Sequence, residues 1–167
     1  LFLSVTSVFI IDDEPMAVHY FIELCRRTSS EIKIVGKAYN GKTALSEVLR
    51  TAPDILFVDI CMPVMNGLEF SEQILAENHR QKIVLLTSYK DFDYVKKGLE
   101  LGVVSYLLKN ELTEDRLRRE IQKIHELILN EERLNLSLKE KNVKKFLIGE
   151  SDGTDLFSYH IDMPQAY

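Results

Sequence analysis

VFIIDDEPM, residues 8–16, joins a run of four apolar residues to three consecutive acidic residues and a proline. The apolar run indicates a strand that is buried on both faces. Neighbouring carboxylates repel one another, and the end of a buried strand is a poor place to solvate them. The three acids therefore form either a solvated turn or part of a site for a positive ion.

Apolar runs of the same kind recur along the chain and alternate with amphipathic stretches. Strands are predicted at residues 7–12, 32–38, 54–60, 82–88 and 103–108. Helices are predicted at 15–27, 40–50, 66–77 and 91–101, each beginning at a proline, an Asn cap or an Asp cap. This alternation predicts an α/β fold, a doubly wound, five-stranded parallel sheet with helices on both faces.

The last third of the sequence has a different pattern. A helix is predicted from Thr113 past Asn130, with an apolar stripe of Leu117, Ile121, Ile124 and Ile128 for packing on the domain. The stripe then weakens, which predicts that the C-terminal helix extends beyond the domain as a connector, with a short coiled coil as one form it can take. We expect one domain over residues 5–130, a helical linker over 131–150, and the truncated or disordered start of a following segment over 151–167.

Composition restricts the location and the partners of this segment. The chain has 167 residues and a formal net charge of −5, which does not favour direct binding of nucleic acid. Its two cysteines have no paired spacing, which fits a reducing compartment. No apolar run reaches the roughly 18 residues of a membrane span. We therefore expect a cytoplasmic protein without a membrane partner.

Polar residues of different kinds follow four of the five predicted strands. Asp12 and Asp13 end the first strand, Asp59 the third, Thr87 the fourth and Lys109 the fifth. In an open parallel sheet, functional groups gather beyond the carboxyl ends of the strands. The agreement among four strands predicts one site at that edge.

Four ordered segments carry a family resemblance: IIDDEP, DILFVDICMPVMNGLEF, VLLTSY and YLLKN. They resemble the marker segments of the response-regulator receiver domain of bacterial two-component signalling, and the likeness covers roughly residues 5–130. The resemblance implies a flavodoxin-like sheet with strand order 2-1-3-4-5. The segment TSYKDFDYVKKGLELGVVSYLLKN and the linker most resemble receivers of AraC-type transcriptional regulators.

The resemblance also implies the roles of the residues at the strand ends. Asp13 and Asp59 would bind Mg²⁺ directly, Asp12 would bind it through water, and the backbone carbonyl of Cys61 would complete the set. The ion would neutralise the crowded carboxylates. Asp59 would accept a phosphoryl group from a sensor histidine kinase, and Lys109 would compensate the charge of the transferred group.

A switch and further partners are implied in the same way. The Thr87 hydroxyl would turn towards the phosphoryl group, and the ring of Tyr106 would move into the vacated space. The protein would form a homodimer through the receiver or the linker helix. It would reach DNA only through a missing C-terminal output domain. We do not expect an enzyme, beyond phosphorylation and dephosphorylation of the chain itself.

Several features leave alternatives open. Receivers usually have a proline after the lysine, but Asn110 stands here, so the direction of the Lys109 side chain is in question. A degenerate receiver that acts only as an interaction module is one alternative. A Mg²⁺-dependent phosphohydrolase with an aspartyl-phosphate is another, although Cys61 occupies the position of its second acid. Cys61 and Tyr89 are expected to flank the phosphoryl group and slow its hydrolysis.

Overall fold

The computed structural model describes residues 5–88 and 92–147, and the side chains of residues 92 and 145–147 are not part of that description. Five strands lie in one sheet: β1 Thr6–Ile11, β2 Ile32–Ala38, β3 Ile55–Asp59, β4 Lys82–Thr87 and β5 Ser105–Leu108. Five α-helices accompany them: α1 Pro15–Thr28, α2 Gly41–Thr51, α3 Gly67–Glu77, α4 Phe92–Leu101 and α5 Glu114–Leu147.

The sheet has the strand order β2-β1-β3-β4-β5, and every pair of neighbouring strands is parallel. The predicted fold class and strand order are therefore confirmed. Each strand lies within one or two residues of its predicted range, because the apolar runs that define the strands are the residues the sheet must bury. The Asp predicted to cap the fourth helix, Asp91, lies outside the described residues.

The core is formed mainly by the central strands. Every residue of β3 and β4 is buried, and so are Val8 to Ile11 of β1. Phe21 of α1 packs against Phe57 of β3 with 4.7 Å between the ring centroids. Burial of these large side chains is the main stabilising term of the domain. It also fixes the register that brings the strand ends level.

The C-terminal helix is confirmed and is longer than most, with 34 residues in α5. The predicted stripe is buried at Leu117, Ile121 and Ile124. Arg118 donates to the carbonyl of Thr28 at the end of α1. The chain divides into two compact units between His125 and Glu126, and α5 contributes residues to both. Within the described residues, no helix is long and apolar enough to cross a membrane.

Candidate functional site

The carboxyl ends of β1, β3, β4 and β5 deliver the predicted polar residues to one edge of the sheet. Ile11 pairs with Val58, and Asp59 pairs with Leu86, so the ends of three strands are level. Asp12 and Asp13 follow β1, and Lys109 follows β5 directly. The register of the parallel strands therefore places residues that are far apart in the sequence close together in space.

Three carboxylates form a compact cluster at this edge. One oxygen from each of Asp12, Asp13 and Asp59 lies within 4.8 Å of the other two. Asp12 and Asp59 are buried, and Asp13 is half-buried. Glu14, the third acid of the opening run, is exposed and precedes α1 as its N-cap. The run thus divides into two residues of the site and one solvated residue.

Lys109 bridges two of the carboxylates. Its Nζ lies 2.6 Å from Oδ2 of Asp12 and 2.9 Å from Oδ1 of Asp59. No peptide bond among the described residues is cis, so the bond before Asn110 is trans. The question raised by Asn110 is therefore answered in this structure, because the lysine reaches the acids with a trans peptide after it.

The electrostatics of the cluster are unbalanced. Burial raises the pKa of Asp59, the hydrogen bond from Lys109 opposes that rise, and the charges of Asp12 and Asp13 add to it. Burial alone would lower the pKa of Lys109, but its hydrogen bonds to Asp12 and Asp59 outweigh burial and raise that pKa. Among the described residues, three carboxylates face one ammonium group, so the site favours a further positive charge.

The donor set fits Mg²⁺. This ion prefers oxygen ligands, binds through one or two carboxylates and keeps several waters. Asp13 and Asp59 supply such oxygens, and Asp12 lies beside them. Cys61 stands two residues after Asp59 and is exposed; the contribution of its backbone carbonyl, implied by the family resemblance, stays a prediction. The clustering of hard donors with uncompensated negative charge is the observation that supports the metal.

Two positioning contacts were not predicted from the sequence. The backbone N–H of Glu14 donates to Oδ1 of Asp12 at 3.0 Å, which orients that carboxylate. A Cβ on Gly67 would lie 2.2 Å from the backbone carbonyl oxygen of Asp59, so only glycine fits there. An Asn-Gly pair such as Asn66–Gly67 is typical of a turn, but that signal does not reveal which backbone the glycine contacts.

The same loop is fixed by a helix cap. The side chain of Asn66 accepts from the backbone N–H groups of Leu68 and Glu69, and the Glu69 side chain accepts from the Asn66 N–H. The N–H of Gly67 donates to the carbonyl of Ile60. The start of α3 is thereby tied to the end of β3, which holds the backbone of Asp59 in place.

The two residues predicted to switch lie on adjacent strands. Thr87 is buried at the end of β4, directly after the residue that pairs with Asp59. Tyr106 of β5 is 40% exposed, so its ring lies at the surface and is not a packed core aromatic. Their roles remain predictions. Tyr89, predicted to shield the phosphoryl group, lies outside the described residues.

The comparisons with known proteins identify the family. A model of the response regulator receiver domain matches residues 8–122. Since that match covers more than half of the sequence, the chain belongs to the response regulator receiver domain family. It is 38% identical over 108 residues to the transcriptional regulatory protein YdfI of Bacillus subtilis (strain 168), covering 65% of this chain and 50% of that protein. The response regulator protein VraR of Staphylococcus saprophyticus is 35% identical over 109 residues, covering 65% and 52%.

Solved structures agree with this assignment. The receiver (REC) domain of AraT, a response regulator from Geobacillus stearothermophilus, has a TM-score of 0.68 and 31% identity, covering 77% of this chain and 98% of that one. A LuxR-family DNA-binding response regulator from Staphylococcus aureus has a TM-score of 0.66 and 28% identity, covering 72% and 98%. The chain spans about half the length of the curated relatives named above. The closer likeness to AraC-type regulators is not confirmed, because LuxR-family regulators also match.

Proposed function

We propose that this receiver accepts a phosphoryl group on Asp59 from a phosphohistidine of a sensor histidine kinase. The observation that carries the proposal is the position of Lys109 Nζ, 2.9 Å from Oδ1 of Asp59, within a buried cluster of three carboxylates. A carboxylate that is only to be buried has no need of two neighbouring acids. A carboxylate that is to meet an anionic phosphoryl group needs positive charge at hand.

The transfer needs few groups from the chain. An Asp59 oxygen forms the new bond to phosphorus while the bond from phosphorus to the histidine nitrogen breaks, and the electron pair of that bond leaves with the imidazole. The carboxylate needs no base, because ionisation already makes it a nucleophile. Mg²⁺, when bound by Asp13 and Asp59 with Asp12 nearby, would offset negative charge on the phosphoryl oxygens.

Lys109 is the mobile partner of this reaction. In the unphosphorylated site its ammonium group is shared by Asp12 and Asp59. Once Asp59 is phosphorylated, it is an acyl phosphate, and its carboxylate charge is replaced by the charge of the phosphoryl oxygens, which are the stronger acceptors. Lys109 then pairs with one of those oxygens and keeps its contact with Asp12. The lysine therefore assists the transfer and afterwards binds the phosphoryl group.

We propose that the result is passed on through Thr87 and Tyr106. The buried hydroxyl of Thr87 bonds a phosphoryl oxygen, and the exposed ring of Tyr106 turns inwards to fill the space. Such a change alters the surface formed by α4, β5 and α5. The exposure of Tyr106 supports this direction of movement, because an exposed aromatic ring has apolar surface to bury.

The output of this switch is proposed from the relatives. One relative is named a transcriptional regulatory protein and one structure is titled a DNA-binding response regulator. We propose that this chain regulates transcription in the cytoplasm through a C-terminal DNA-binding domain, of AraC type as its sequence resembles. We also propose that it forms a homodimer through the receiver or the linker helix. Neither alternative function gains support: Lys109 reaches the acids despite Asn110, which removes the hint of a degenerate receiver, and Cys61 stands where the phosphohydrolase has its second acid.

The test is direct phosphorylation. The chain is incubated with acetyl phosphate, with Mg²⁺ or with excess chelator, and the modified residue is located by tandem mass spectrometry. We expect one phosphoryl group, on Asp59, only when Mg²⁺ is present. Absence of modification under both conditions would support the degenerate receiver. Sustained hydrolysis of phosphate esters would instead support the phosphohydrolase.

A further inference from the structure

The second unit contains an exposed stripe along one face of α5. Leu127, Leu134 and Leu138 are 40%, 61% and 42% exposed. Glu131 and Lys141 are also exposed and complete a set whose members are separated by four, three, four and three residues. This spacing keeps all five on one side of a helix, alternating between the two seam positions of a coiled coil.

The charges of the stripe distinguish the two ways in which it can pair with a second copy. In a parallel pair each position faces itself, so Glu131 meets the partner's Glu131 and Lys141 meets the partner's Lys141. In an antiparallel pair, each residue at one seam position faces a residue at the other seam position of the partner helix. If Leu134 then faces the partner's Leu138, the same register places Glu131 opposite the partner's Lys141. Reversal therefore matches leucine with leucine and acid with base, each contact occurring twice by symmetry.

We propose that two copies of this protein associate through antiparallel pairing of the segment Glu131–Lys141 of this stripe. The occupant is a second copy, because this segment complements its own reverse in both charge and apolarity. Leu127 lies outside the paired segment, since in this register it falls opposite the position of Lys145. The pairing concerns the second unit alone. It deepens the proposed self-association by giving its surface and direction, and it does not depend on phosphoryl transfer to Asp59.

The opposite side of the same helix provides an internal comparison. Leu129, Leu136 and Val143 recur every seven residues, with Glu132 and Lys139 at the interleaved positions. Antiparallel pairing there would place apolar side chains against charged ones. Parallel pairing would match the apolar residues but would also place Glu132 and Lys139 against their own copies. Of these two faces, the one that contains Leu134 is therefore the one with a segment, Glu131–Lys141, that can pair without conflict.

Charge exchange in the whole chain tests the proposal. Sedimentation equilibrium gives the dimer dissociation constant of the wild type, Glu131→Lys, Lys141→Glu and the double variant. Each single change creates two like-charge contacts, so we expect dimerisation to weaken about tenfold. The double variant restores both pairs in reversed polarity, and its dissociation constant should return to within about threefold of the wild type. Far-UV circular dichroism checks that helix content is unchanged.

A matched apolar pair completes the experiment. Leu134→Ala should weaken the dimer, whereas Leu136→Ala, on the opposite side, should leave it unchanged. Failure of the double variant to recover, or equal effects of the two alanine changes, would overturn the antiparallel pairing. A dimer whose dissociation constant is unchanged by every substitution would also overturn the antiparallel pairing, but it would leave the proposed self-association in place. A wild-type chain that stays monomeric up to its solubility limit would overturn both.

Discussion

β3 has an aspartate at each end, and the two are held in opposite ways: Asp54 directly precedes the strand, and Asp59 is its last residue. At the amino end, Oδ2 of Asp54 accepts from the backbone N–H and the hydroxyl of Ser7 at 2.7 and 2.6 Å. The hydroxyl oxygen of Ser7 accepts in turn from the N–H of Asp54. At the carboxyl end, Asp59 faces Asp12, Asp13 and Lys109.

The difference separates a structural carboxylate from a reactive one. Neutral donors hold Oδ2 of Asp54 and tie the start of β3 to β1, which contributes stability. Asp59 lies among charges that do not balance, and burial together with two neighbouring acids raises its pKa against the pull of Lys109. The cost of that arrangement is tolerable only where a ligand relieves it.

The largest expected effect comes from removing each carboxylate in turn. Asp59→Asn should abolish phosphoryl uptake from acetyl phosphate, because an amide is not a nucleophile towards phosphorus. Asp54→Asn should retain uptake and lose about 1–2 kcal/mol of unfolding free energy through the weakened Ser7 contacts. Mass spectrometry and urea unfolding measure the two properties. If Asp54→Asn took up as little phosphoryl group as Asp59→Asn, the distinction between a structural and a reactive carboxylate would be wrong.

Loss of the ammonium group should be the next largest effect. Lys109→Met removes the positive charge that Asp12 and Asp59 share, so we expect phosphoryl uptake to slow by at least about tenfold. Lys123→Met is the control, since that lysine is an exposed residue of α5 paired only loosely with Glu120. Rates are measured as accumulation of the phosphorylated chain under saturating Mg²⁺. Equal rates for the two variants would remove Lys109 from the mechanism.

A close backbone contact supports the carboxyl end. Gly67→Ala should destabilise the domain by about 2–3 kcal/mol, because the added Cβ overlaps the carbonyl oxygen of Asp59. Gly102→Ala is the control. A Cβ added at Gly102 would have no atom within 4 Å, so the expected cost of about 1 kcal/mol comes only from placing alanine at a φ of +101°. Urea unfolding compares them. A larger loss at Gly102 would mean that the Gly67 contact relaxes easily.

The smallest effect is a dependence of stability on pH. The folded state raises the pKa of Asp59 above its ordinary value of 3.8, so folding favours the protonated carboxyl. Stability therefore falls as pH rises from below that value through the raised pKa, while Asp59→Asn lacks this loss. Without Mg²⁺, the variant should gain stability relative to the wild type over that interval. Urea titrations at a series of pH values would contradict this if the difference stayed constant.

Much of this molecule follows from its sequence, and the exceptions have a common cause. The five strands and the groups at their ends were predictable, because burial demands apolar runs and parallel pairing brings their ends together. The contacts of Ser7 with Asp54 and of Gly67 with Asp59 were not. Each depends on the register between segments far apart in the chain, to within an ångström, and no local pattern encodes that.

The long helix α5 also has features that the sequence predicts and features that it does not. Its existence and the buried stripe through Leu117, Ile121 and Ile124 were predicted from periodicity. Periodicity does not say where the helix ends, because the apolar pattern weakens after Ile128 while helix-forming residues continue. The sequence also did not show whether Lys109 reaches the acids when the peptide bond before Asn110 is trans. The structure shows that it does.

Calorimetric titration with Mg²⁺ tests the contrast between the two ends of the sheet most directly. The wild type and Ser7→Ala should bind one Mg²⁺ with the same affinity, since Ser7 acts only at the amino end. Asp13→Asn should bind at least about tenfold more weakly, because it removes a ligand charge from the carboxyl end. Undiminished Mg²⁺ affinity in Asp13→Asn would contradict the assignment of this cluster as the metal site.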